Sequence, residues 1–234
     1  MKNWELIGSS PLVHARVSGI VGVLVLASGS FANFVASRLI MRDDIVATSN
    51  NILASELLYR FGIVSSLVMM IAWLVYALLL YQLLRPVNKI LAMSMVALVV
   101  ASVPIYMLNQ VNLFAALPAA LDGRHDQVGL FLDLHRFGNL VAAIFFGLWL
   151  FPLGLLVFKS RFLPRLLGVL LMVGTLGYLV LFVEAFFLPG SEHTLWSNPF
   201  LALTHLSELA LLIWLLIKGV DLDRWERVVE AATL

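Results

Sequence analysis

The sequence predicts an all-α, polytopic membrane protein: a bundle of six transmembrane helices with both termini in the cytoplasm. Three observations predict it. Of 234 residues, 62% are hydrophobic and only 12% charged, and the mean hydropathy is +0.99, beyond what a water-soluble domain of this length carries. The apolar residues collect into six charge-poor runs, each close to the roughly 20 residues that cross a hydrocarbon core as a helix. None of the runs alternates with the period of two expected of a membrane barrel strand.

The first run, residues 17–37, lies between Arg16 and Arg38. The fifteen residues that open the sequence hold no apolar core long enough for a cleavable signal peptide, so this span is expected to stay as an uncleaved anchor. Residues 43–55 begin with Asp43 and Asp44, acids that favour a helix N-terminus, and predict a short interfacial helix. The second span covers 61–84. The third covers 90–112, within a stretch reaching 117, and Pro104 is expected to kink it; the fourth covers 137–158, with Pro152 acting near its end. The fifth, 166–188, contains Glu184, and the sixth, 199–217, contains His205 and Glu208. The chain reads as a single transmembrane helical domain over residues 1–234.

Basic residues orient the bundle, because Lys and Arg stay on the cytoplasmic side of short loops. With both termini inside, the cytoplasmic segments hold Lys2, Arg16, Arg85, Lys89, Lys159, Arg161, Arg165, Lys218, Arg224 and Arg227; Arg38, Arg42, Arg60, Arg124 and Arg136 fall outside. The two inner loops are tight and basic, whereas the outer segments near 41–55, 118–132 and 189–198 are longer and carry acids. Trp4, Trp196 and Trp225 fit interfacial anchors. Small residues mark close helix packing: Ser18, Gly22, Ala27, Gly29, Ala32 and Ala36 in the first span, and Gly168, Gly174 and Gly177 in the fifth.

Polar residues collect toward the outer leaflet. At about 1.5 Å of rise per residue, Asn33 lies about 26 Å from Arg16, Asn109 about 30 Å from Lys89 and Glu184 about 28 Å from Arg165. Asp133, His135, Arg136, Glu56 and Arg60 project at the same boundary. Glu208 is deeper, about 15 Å from Lys218, with His205 at about 20 Å. An ionisable side chain at that depth costs roughly 2.5–3.5 kcal/mol on insertion scales, and such residues face a partner, a cavity or a pathway. The pattern predicts a polar pocket open to the outside with Glu208 near its floor.

Spacing places His205 and Glu208 (i, i+3) and Thr204 and Glu208 (i, i+4) on one helix face, suited to sharing a proton or binding one ion. Glu56 and Arg60 are an i, i+4 pair with the acid first, the favourable order. Asp133 and His135 (i, i+2) converge only if their helix begins at Leu134. His135, His205 and Glu208, with Asp133 or Glu184, are ligand types suited to zinc or iron. Against a metal stands the lack of an HExxH or other dense ligand motif. Absence of cysteine removes thiolate sites and cysteine nucleophiles; GxSxG, phosphate loops and dinucleotide fingerprints are also missing. A net charge of +1 gives no nucleic-acid patch, so the partners expected are membrane lipid and a small molecule. No cofactor and no oligomeric state is specified.

The segments Glu56-Leu-Leu-Tyr-Arg60-Phe-Gly62, Leu83-Leu-Arg-Pro-Val-Asn88, Leu130-Phe-Leu-Asp-Leu-His135, Arg161-Phe-Leu-Pro-Arg-Leu-Leu-Gly168 through Gly177-Tyr178, and Glu208 through Gly219 with Trp225 occur in the order expected of one family. They resemble the prokaryotic membrane family catalogued as domain of unknown function 4386, over nearly the whole chain. The resemblance implies one multi-spanning domain in a prokaryotic plasma membrane and supplies no activity. Glu56, Arg60, Asp133, His135 and Glu208 are its matching positions, without a role. Three functions remain in view: binding or transport of a small or lipid-like molecule or a proton toward His205 and Glu208, an accessory protein whose polar residues lock the bundle, and an intramembrane enzyme using His135, His205 and Glu208 with a metal or as acid and base. Transport is weakened by the scarcity of internal repeats, hinted at only by the two proline-containing inner loops.

Overall fold

A computed structural model describes residues 10–41, 43–188 and 199–233. Lys2, Trp4, Arg42, Trp196 and the outer segment 189–198 lie outside the described residues. Among the described residues there are nine helices and no strand: α1 (Pro11–Leu39), α2 (Ile45–Ala54), α3 (Glu56–Leu84), α4 (Lys89–Leu121), α5 (His125–Leu148), α6 (Leu150–Ser160), α7 (Arg165–Phe187), α8 (Pro199–Ile217) and α9 (Leu222–Thr233). Counting α5 and α6 together, six helical stretches are long and apolar enough to cross a membrane. Large apolar side chains such as Ile20, Leu108, Leu166 and Ile217 are more than half exposed, as a lipid-facing exterior requires. The protein is a polytopic helical membrane protein.

Local chemistry sets the helix ends. Pro11 and Pro199 occupy first helical positions, where a missing N–H costs nothing. Asp44, Asn88 and Asp221 each cap a following helix by accepting the N–H three residues on, from Ala47 at 2.8 Å, Leu91 at 2.9 Å and Arg224 at 3.2 Å. Gly123 and Gly219 close α4 and α8 with φ of 68° and 67°, a left-handed turn that glycine takes without a Cβ penalty.

Several helices outrun their apolar cores. α3 starts at Glu56 and α5 at His125, because the charges that enter them are paired along the helix, Glu56 with Arg60 and Asp133 with Arg136. α4 continues to Leu121 through both Pro104 and Pro118. Its polar residues do not end it, since Asn109 and Asn112 find partners within the protein. Pro152 marks where α5 gives way to α6 at Trp149, which keeps helical dihedrals (φ −66°, ψ −25°), so the fourth span continues as one stretch. A proline at 152 has no N–H to offer the Leu148 carbonyl, and α5 ends at that residue.

The chain divides into two compact units, one of residues 1–23, 73–102 and 143–234, the other of residues 24–72 and 103–142. In the second, Val35, Leu39, Ile52, Tyr59, Ile63, Ala116 and Val128 form a buried core. The short helix α2 belongs to that core: Ile52, Thr48 and Ser49 are fully buried, and Thr48 Oγ1 both donates to the Met41 carbonyl (2.9 Å) and accepts from its N–H (2.8 Å). In the first unit, α7 packs on α6 and α8 through its glycines. A Cβ at Gly168 would come 2.6 Å from the Gly154 carbonyl oxygen, and one at Gly174 would come 3.1 Å from Ser207 Oγ. The small-residue stripe of the fifth span is a packing surface.

Candidate functional site

Two polar groupings lie within the spans, one in each unit, and each is built from residues a helical turn apart. On α8, His205 Nδ1 stands 3.8 Å from Glu208 Oε2. That is too long for a hydrogen bond and within ion-pair range if the imidazole is protonated. The side chains are 48% and 32% exposed, so the pair opens outward from α8. Thr204 does not join it. Its hydroxyl is directed at the Gly174 carbonyl oxygen (2.5 Å) and that of Phe200 (2.9 Å), which ties α8 to α7.

Aromatic rings back this pair. The His205 imidazole meets the Tyr178 ring edge-on with centroids 6.0 Å apart, Tyr178 meets Phe146 at 6.0 Å, and Phe146 meets Trp73 at 5.0 Å. Aromatic rings therefore stand behind the pair, a wall suited to a molecule with a polar head and an apolar body.

The second grouping joins α4 to α5. Asn109 Nδ2 donates to the His135 carbonyl (2.7 Å) and to Asn139 Oδ1 (2.9 Å), Asn139 Nδ2 meets His135 Nε2 (3.0 Å), and Asn112 Nδ2 donates to Asn109 Oδ1 (2.9 Å). Gly138 makes room, because a Cβ there would collide with the Asn109 amide. Most of the network's bonds run between its own members. On α3, Tyr59 donates to the Leu113 carbonyl of α4 at 2.9 Å. Gln110 is fully buried, and its Nε2 donates to the Tyr106 carbonyl at 3.3 Å.

The remaining expected site residues have ordinary partners. Arg60 Nε donates to Glu56 Oε1 at 2.7 Å on an exposed surface. Asp133 lies well inside α5, which starts at His125, and pairs with Arg136 at 3.5 Å; it does not converge with His135. Glu184 is partly buried near the end of α7. Among the described residues, no three His, Asp or Glu side chains gather as a metal site. Sequence reasoning did not foresee Asn112 and Asn139, although Asn109/Asn112 (i, i+3) and His135/Asn139 (i, i+4) carry the helical spacing of a shared face. It also passed over buried His14, whose Nε2 lies 3.0 Å from Gln82 Oε1 at the basic end of α1.

The profile of a family described as "Domain of unknown function (DUF4386)" matches residues 17–219. A protein of Archaeoglobus fulgidus named only "Uncharacterized protein" is 31% identical over 165 residues, covering 70% of this chain and 86% of its own length. No solved structure matches the chain.

Proposed function

Since the chain belongs to the family described as Domain of unknown function (DUF4386), which assigns no chemistry, we propose from the geometry alone that it binds a small or lipid-like ligand, or a proton, at His205 and Glu208. One observation carries this reading: an acid and an imidazole 3.8 Å apart stand half-open in the middle of an apolar span. Lipid tails do not solvate such a pair, so an occupant with a donor or a cationic head is favoured beside it. With the basic loops facing the cytoplasm of a prokaryotic plasma membrane, the pair is reached from the outer side. The Asn109–His135–Asn139 network supports a different role for that grouping, a polar clasp that fixes α4 against α5.

The test is native mass spectrometry of the full chain released from mild detergent. Wild type is expected to retain a co-purified species that Glu208→Gln loses while its unfolding midpoint stays near that of wild type. Retention of the same species by Glu208→Gln would sink the binding role. A variant that loses its fold would instead mark the pair as structural.

A further inference from the structure

A cleft of about 750 Å³ lies away from His205 and Glu208, where the loop after α3, the end of α6 and the helix α9 meet. Lys159, Arg161, Arg224 and Arg227 bring four cations to its walls, Val87 and Val228 supply apolar contact, and among the described residues no acidic side chain lines it. Basic loops at helix ends are expected of any polytopic protein. Enclosure of four of them around one space is not.

The sequence of α9 builds this arrangement. Arg224, Arg227, Val228 and Ala231 recur at i, i+3, i+4 and i+7 and face the cleft, whereas Asp223, Glu226 and Glu230 fall on the opposite side of the same helix. The helix is anchored rather than loose: Trp225 Nε1 donates to the Leu83 carbonyl at 3.4 Å, and Arg224 donates to the Arg161 carbonyl at 3.1 Å. Arg161 itself holds φ at 62°, the left-handed region that a bulky residue avoids. That conformation closes the C-terminus of α6 and fixes the Arg161 backbone at the cleft wall. Asp221 lies 3.1 Å from Arg224 and offsets one of the four charges.

We propose that this cleft binds the phosphate of an anionic lipid headgroup. Guanidinium groups match phosphate oxygens in pairs, and basic pockets at the ends of membrane helices take up anionic headgroups. The mixture of cations with Val87 and Val228 suits a headgroup joined to its glycerol better than a bare ion.

The experiment uses the full chain in detergent micelles, with phosphatidylglycerol, phosphatidylcholine of the same acyl chains, and inorganic phosphate as probes. Wild type is expected to retain phosphatidylglycerol about tenfold more strongly than phosphatidylcholine. Lys159→Gln with Arg227→Gln is expected to remove that preference, because α9 remains held by Trp225 and Arg224; the single variants fall between. Arg85→Gln, which removes an inner-loop charge outside the cleft, is the control and keeps the preference. Retention that millimolar inorganic phosphate leaves unchanged identifies a lipid. Stabilisation by inorganic phosphate alone, lost in the double variant, identifies a soluble phosphate at the same site. Equal retention of both lipids with no effect of phosphate, or an equal loss in Arg85→Gln, overturns the proposal.

Discussion

Asn109 is buried, and its amide serves three other side or main chains. Interhelical hydrogen bonds in membranes contribute about 0.6 kcal/mol each on average and up to ~1.7 kcal/mol, because the unfolded chain in lipid also finds partners. Asn109→Leu is therefore expected to lower stability by about 1–2 kcal/mol, since Asn112 and Asn139 lose their bonds along with it. Gly138→Ala should do the same by pushing a methyl into the Asn109 amide. Unfolding in mixed micelles measures both, and a neutral Asn109→Leu would show that the network is dispensable. The residue scale is also where sequence is least informative. Glu208 stood out because a charge in an apolar run is visible on inspection, while Asn139 did not, because its importance comes from a partner on another helix.

The helices themselves were the most legible elements. Six charge-poor runs became six membrane-length stretches, and Asp43 and Asp44 announced the start of α2. The ends were less legible, since the charges that cut the apolar runs short are neutralised inside the helices by partners at i+3 and i+4. Where α7 packs on α6 and α8 the sequence was explicit about small residues, and the structure ranks them. A Cβ at Gly168 meets backbone atoms at 2.6 Å that have no way to yield, whereas one at Gly174 meets a Ser207 hydroxyl at 3.1 Å. Gly168→Ala is expected to cost about 1–3 kcal/mol and Gly174→Ala clearly less. An equal effect in parallel melts would mean that the backbones separate freely.

For the molecule as a whole, composition established the membrane class, and the Lys/Arg bias led to an orientation that a chemical test can check. The sequence contains no cysteine, so single substitutions report without background. With both termini inside, Asp126→Cys is expected to react with an impermeant maleimide added to intact cells, and Glu226→Cys only after lysis. The reverse pattern would invert the topology and place the basic cleft outside. The pairing of His205 with Glu208 was legible in their i, i+3 spacing, but nothing in one chain of letters shows that Thr204 turns to α7 instead of joining them.

Trp149 stands between α5 and α6, is nearly inaccessible, and meets the Trp73 ring edge-on at 5.3 Å. Two indoles so close and so nearly perpendicular absorb light as a coupled unit. This stretch of the fourth span therefore carries its own optical gauge: any change in the Trp73–Trp149 packing alters the near-ultraviolet dichroism of the pair, with no dye attached, and Trp73→Phe silences the signal.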